Sequence, residues 1–267
     1  MTFRAGLKQI LLTGLFCSGW GAAPAQQQSP TPYSRGRIPE LASFEQLTAH
    51  EKRLDSLTDQ HNKEKLQRME DGSAFVAGVS EKEQKEAIAY EKIRAQSYRD
   101  NRSRYALEQT VNGKPNPDFR AGAEGPITSG CDCFLSGDTI HIKMGLWVFG
   151  GFSFQLLLEK NGFQSGYWED THKQFIYKNA LTDTVLVDNV YVENTGQALV
   201  LNNPPRFAVG ERLLGFFTFK TADYYKTHGF DAGIPPDAAD HSGMDRLQLK
   251  GAVHFKCQVR QKTFMEE

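Results

Sequence analysis

"DTIHIKMGLWVF", residues 138–149, alternates apolar and polar side chains: Ile140, Ile142 and Met144 fall on one face, His141 and Lys143 on the other. A period of two marks an extended strand with one face buried. The same signal continues downstream. "FSFQLLLEKNGFQSGYWE" (152–169) reads as a hairpin, with Asn161-Gly162 expected to make the tight turn between its arms. "QFIYK" (174–178), "TVLVDNVYVE" (184–193), "QALVLN" (197–202), "RLLGFFTFKT" (212–221) and "RLQLKGAVHFKCQVR" (246–260) supply the other strand candidates. About eight short strands with no helical pattern between them argue for an antiparallel sandwich or barrel over an α/β fold, and an antiparallel β-sandwich over residues 131–264 is the expectation. In "RLLGFFTF" both faces are apolar, Phe217 and Phe219 on one and Leu214 and Phe216 on the other. That strand is therefore expected to be central, or to lie beneath another layer.

Upstream the pattern changes. Residues 111–130, "VNGKPNPDFRAGAEGPITSG", carry three prolines and several glycines without periodicity, and read as a linker between domains. Residues 40–110 are rich in helix formers, interrupted around "EDGSAFVAGVS" (70–80), and predict two helices. In the first, Leu41, Phe44, Leu47, Leu54 and Leu57 form one narrow apolar stripe. The second opens on Ser80 with Glu83 three residues on, a capping box. The pair is expected either to lie as a hairpin against the β-domain or to form a coiled-coil or assembly arm. The fold class is thus α+β by segments, a helical hairpin followed by a β-domain.

Residues 26–39, "QQQSPTPYSRGRIP", have nothing to bury and read as a flexible leader. Before them, Arg4 and Lys8 precede the apolar run "ILLTGLFC" (10–17) and the small-residue site Ala23-Pro24-Ala25, the layout of a cleaved secretory signal. The apolar run is far shorter than the roughly 20 residues a helical membrane span requires. No transmembrane segment is expected after cleavage, and the protein is expected in the periplasm or outside the cell. Loss of Arg4 and Lys8 leaves 29 basic against 32 acidic residues, a net charge near −3. Such a chain lacks the basic footprint of a nucleic-acid-binding protein.

Cysteine usage follows from export. After cleavage Cys131, Cys133 and Cys257 remain. Zinc would find the right ligand types in these three and His254, but His254 and Cys257 leave opposite faces of one strand. Redox chemistry usually sets CxxC at a helix N-terminus, and here CxC enters a strand. The expectation is a disulfide from Cys257 to either Cys131 or Cys133, with one thiol left over.

Other chemistry-bearing residues are scattered. The seven histidines show no HExxH spacing, and there is no GxSxG elbow or phosphate loop. Tyr167 and Trp168 in "GYWED" have the chemistry to stack on a sugar, although adjacent strand residues face opposite sides. The long patternless segment 222–245 gathers Asp231, Asp237, Asp240, His241 and Asp245, oxygen and nitrogen donors that would suit calcium or zinc, although no cofactor is the expectation.

The CxC entry, "VFGGFSFQ" (148–155), "GERLLGFFTFKTADYY" (210–225) and "GAVHFKCQV" (251–259) together resemble exported bacterial β-domain proteins of no assigned function, over about residues 131–260. The resemblance implies a β-domain and an envelope location, and carries over no activity or site. The function expected is non-enzymatic binding or scaffolding of an envelope protein or glycan. The alternative is a hydrolase of an envelope or extracellular polymer that works through loop carboxylates.

Overall fold

The computed structural model describes residues 30–40, 46–117, 119, 127–147, 151–170, 175–180, 182–183, 187–228 and 243–263. In chain order they form β1 (Ser34–Arg35), α1 (Ala49–Glu70), α2 (Glu81–Asp100), β2 (Arg102–Val111), β3 (Lys114–Pro115), β4 (Ile127–Ser136) and β5 (Thr139–Trp147). There follow β6 (Gly151–Glu159), β7 (Gly162–Asp170), β8 (Phe175–Lys178), β9 (Asn189–Leu201), β10 (Arg212–Thr221), β11 (Tyr224–His228), β12 (Asp245–Gln258) and β13 (Arg260–Gln261).

The β-domain is a closed antiparallel barrel, not a sandwich. Its eight strands run β2-β4-β5-β6-β7-β9-β10-β12, and β12 pairs back onto β2 to complete the ring. Closure depends on β2, ten residues that composition placed in the helical region and linker. "RSRYALEQTV" is made largely of helix formers, and only Tyr105 and Leu107 on its inward face are large and apolar. Pairing with two neighbours at once overrides so weak a local preference. The presumed linker likewise begins as a hairpin turn: Asn112 (φ 51°) and Gly113 (φ 79°) join β2 to β3. "TVLVDNVYVE" and "QALVLN" contribute to a single long β9, whose first residues pair β7 and whose last pair β10. Between β6 and β7 the turn residues are Lys160 and Asn161, neither at positive φ, while Gly162 pairs Glu159.

Gly162 serves another purpose. A Cβ there would lie 2.6 Å from the Thr31 carbonyl oxygen and 2.9 Å from Pro30 Cβ. The supposed flexible leader is packed at this point. Below Ser165 and Asn194 the strands β7 and β9 diverge, and residues 31–36 fill the seam. Thr31 exchanges both backbone hydrogen bonds with Phe163, and Ser34–Arg35 pairs in parallel with Val200–Leu201. Gln197 Nε2 adds a 2.8 Å bond to Thr31 Oγ1.

A second seam opens where β2 begins, between β4 and β12. The Asn101 side chain accepts from the Gln258 amide at 2.9 Å, beyond β2's last paired residue. The Cys131–Cys257 disulfide, β13 alongside Phe134 and Leu135, and a two-pronged Arg260–Asp132 ion pair at 2.8 and 2.7 Å close the rest.

An eight-stranded barrel is just wide enough for side chains to fill, and here they do. Tyr105, Ile142, Phe154, Leu156, Phe217 and Phe255, from five strands, are at most 1% exposed. The outward side chains of the same strands include Arg104, Glu108, Lys143, Gln155, Lys220 and Lys250, with Leu157, Leu214 and Phe216 among them. No helix among the described residues is long and apolar enough to cross a membrane.

The helices form an antiparallel pair laid on the outside of β4 and β12. Both open on capping boxes, Thr48–Glu51 and the expected Ser80–Glu83. Of the apolar stripe, Leu47 is buried at 5% exposure, Leu54 is half-buried and Leu57 is 45% exposed, while Leu41 and Phe44 lie outside the described residues. Carboxylates of α1 add to this. Asp55 meets Arg102 at 2.5 Å, and Glu51 meets Arg104 at 3.2 Å as well as the Thr128 hydroxyl. Lys65 of α1 binds Glu91 of α2 at 2.7 Å and links the two helices, while Arg94, on the same helix as Glu91, adds a 3.0 Å contact to the same carboxylate.

Candidate functional site

The inward residues of β7 are Phe163, Ser165, Tyr167 and Glu169, so an acid continues an apolar row into the barrel. Glu169 is 9% exposed and lies at the barrel end opposite the two seams. Burying a carboxylate is costly unless it is fully hydrogen-bonded, and four donors converge on this one. Tyr167 and Tyr224 hydroxyls donate to Oε2 at 2.8 and 3.1 Å; the Tyr177 hydroxyl and Lys226 Nζ donate to Oε1 at 3.1 and 2.9 Å. The Lys226 ammonium also sits 5.6 Å over the Tyr177 ring. The phenols come from β7, β8 and β11, and the lysine from β11. The cluster therefore binds these strands together at the points from which segments 171–174 and 229–242 leave. Burial, then the neighbouring carboxylate and phenols, push Tyr167 and Tyr224 well above the ordinary tyrosine range, so both remain hydroxyl donors across physiological pH.

Sequence reasoning passed over this cluster. The signal that could have found it is the phase of Glu169 with Phe163 and Tyr167 along β7. Tyr167 is interior, 2% exposed, and Trp168 is half-buried on the outer face, directly opposite Tyr191 of β9. Cys131 is bonded to Cys257, while Cys133 is buried with a free thiol that burial, followed by the Asp132 charge, raises well above the ordinary value. Asp245 begins β12 and accepts from Asn112 Nδ2 at 2.7 Å. Asp231, Asp237, Asp240 and His241 lie outside the described residues. Among the described residues no group of three or more histidines, cysteines and acids is placed to hold a metal.

Chemically, Glu169 has its four acceptor positions taken, two per oxygen. The same holds in kind for the other buried acids: Glu51 pairs with Arg104, Glu91 with Lys65, Asp132 with Arg260 and Glu211 with Arg206. These are structural ion pairs with their hydrogen bonds satisfied, the form in which charge is tolerated inside proteins. Comparison of the chain with protein-family models, with curated proteins and with solved structures finds no match.

Proposed function

We propose that this chain is an exported, non-enzymatic β-barrel that binds or scaffolds a component of the cell envelope through its outer surface. The observation that carries this reading is the filled interior. Barrels that hold small ligands leave room in the lumen, whereas here the described inward side chains, largely aromatic and aliphatic with the hydrogen-bonded Glu169 cluster at one end, are buried against one another. Recognition then falls to the outside of the strands and the helical pair. Export is supported by the basic start, short apolar run and Ala-Pro-Ala site, and a disulfide suits an oxidising compartment. The competing reading, a hydrolase, requires two carboxylates facing one another with space for substrate and water. The buried acids described above, each paired with a cation, do not supply such a pair, and the loop acids Asp231, Asp237 and Asp240 lie outside the described residues.

Fractionation of cells expressing the full chain, with N-terminal sequencing of the recovered protein, tests the reading together with co-sedimentation on washed envelope preparations. Protein beginning at Gln26, found outside the cytosol and pelleting with envelope, is the expected result. Cytosolic protein that retains Met1, or purified protein that leaves washed envelope entirely in the supernatant, would overturn it.

A further inference from the structure

On the outer face of the barrel, register places side chains in rows across strands. One row runs Ser153, Trp168, Tyr191; the next runs Gln155, Gly166, Glu193. Tyr191 leans diagonally from its own row into the second, as long aromatic side chains do across a sheet. Its hydroxyl end lies over Gly166: a Cβ at that position would be 2.2 Å from the Tyr191 hydroxyl oxygen and 2.3 Å from Cζ. Glycine is thus what lets the ring cover β7. The tyrosine is nonetheless 41% exposed. Among the described residues the other large apolar side chains with comparable exposure, Leu57, Ile93, Val187 and Val209, are aliphatic. One aromatic ring is therefore held against a sheet by a glycine, beside a half-buried indole, with the amide of Gln155 and the carboxylate of Glu193 on its borders.

We infer that Tyr191, seated on Gly166 beside Trp168, is a stacking platform for a pyranose ring of an envelope polysaccharide. This rests on the reading that the barrel's outside binds an envelope component, and names the class of that component. A pyranose with equatorial hydroxyls has an apolar face of axial C–H groups and a polar rim. Its face is matched by an aromatic ring, with C–H donors directed at the π-cloud, and its rim by amides and carboxylates. A protein partner would require a contact of about 800 Å² per side with several buried anchors. The platform is a single ring bordered by polar groups, which is the footprint of one sugar unit. Holding the ring in place beforehand lowers the ordering cost of binding.

The test uses the chain from Gln26 to Glu267, with a β-1,4-linked N-acetylglucosamine tetramer, a β-1,4-linked glucose tetramer and muramidase-released cell-wall fragments as probes. Binding is read from intrinsic tryptophan fluorescence, to which Trp168 reports locally, and from saturation-transfer NMR on the sugar protons. The expected result is saturable binding of at least one probe, on the order of millimolar or tighter, weakened at least tenfold in Tyr191→Ala. Gly166→Ala, which keeps the ring but lifts it off the sheet, should weaken binding too, with unchanged circular dichroism in both variants. Binding of none of the three by the wild type, or equal binding by Tyr191→Ala, overturns the platform. Envelope co-sedimentation that persists in either case leaves the general reading standing. Co-sedimentation lost in Tyr191→Ala without any sugar binding overturns the saccharide assignment in favour of a protein partner.

Discussion

Replacing Glu169 by glutamine is close to isosteric and asks whether the four converging donors matter. The carboxylate accepts two hydrogen bonds on each oxygen. A carboxamide oxygen accepts two, and its NH2 group confronts whichever two donors remain. The arrangement of least cost keeps Tyr167 and Tyr224 on the amide oxygen and turns NH2 towards Tyr177 and Lys226. Lys226, with its side chain 20% exposed, then swings to water, but Tyr177, at 0%, has no such escape. One buried phenol loses its acceptor and a partly buried ion pair is lost. At about 1–3 kcal/mol for an unsatisfied buried group, plus a fraction of the ion pair, the loss is about 2–4 kcal/mol. For a chain of this size that lowers Tm by about 4–16 °C. Urea and thermal melts of Glu169→Gln, Lys226→Met and the double variant measure it, and the cycle should give a coupling energy of at least about 1 kcal/mol. A Glu169→Gln melt within about 1 kcal/mol of wild type, or strictly additive single effects, would show that the cluster is not a mutually satisfied network.

Non-reducing peptide mapping of protein recovered from the envelope should link the peptide containing Cys257 to the one containing Cys131 and Cys133, and Cys257→Ser should cost about 4–5 kcal/mol in the loop-entropy model for a separation of 126 residues. Glu51 gives an acid dependence: burial pushes its carboxyl up, but hydrogen bonds from Thr128 and from the Thr48 backbone and hydroxyl, with the Arg104 guanidinium, outweigh this and hold it below its ordinary 4.5. The folded state therefore binds this proton less readily than the unfolded chain, so its contribution is complete above pH 4.5 and is lost as pH falls through the lowered value. In Glu51→Gln the plot of Tm against pH should flatten over that window, and an unaltered acid limb would remove Glu51 as its source. A fragment starting at residue 128 lacks β2 and should show no cooperative melt. One starting at residue 46 keeps every ring strand but loses the seam strap, and should retain a β-type spectrum with a lowered Tm.

What could be read in the sequence, and what could not, divides along physical lines. Strands with large inward side chains were legible because alternation is a local property: Ile140, Ile142 and Met144 announce their face without reference to any neighbour. β2 was not, because its inward row runs Ser103, Tyr105, Leu107, Gln109, and what makes it a strand is hydrogen bonding to β4 and β12, distant in sequence. The leader was misread for the same reason. Residues 31–36 bury little of their own; they are ordered by the backbone groups of Phe163, Val200 and Leu201. Sandwich and barrel share one strand pattern, and the single pairing of β2 with β12 separates them. The Glu169 cluster was half legible: an acid in phase with Phe163 and Tyr167 signals a buried charge, but Tyr177, Tyr224 and Lys226 are brought to it only by the pairing of β8 with β11.

The distribution of these features also explains why the two barrel ends differ. At the end carrying the Gly137–Asp138 and Lys160–Asn161 turns, β2 starts late and β7 parts from β9, so the ring of backbone hydrogen bonds is incomplete. There the chain relies on a disulfide, an ion pair and a borrowed strand. The strap meets β7 at Gly162 and Phe163, away from the Trp168–Tyr191 row. At the other end the ladder is extended by β8 and β11, and a buried carboxylate ties the extension to the barrel wall. A surface between two fixed ends changes little when a ligand arrives, so a platform built on Gly166 would bind with its geometry already set. The same logic assigns different consequences to damage: loss of the disulfide or strap should weaken the whole fold. Loss of Tyr191 should cost binding while the melt stays that of the wild type.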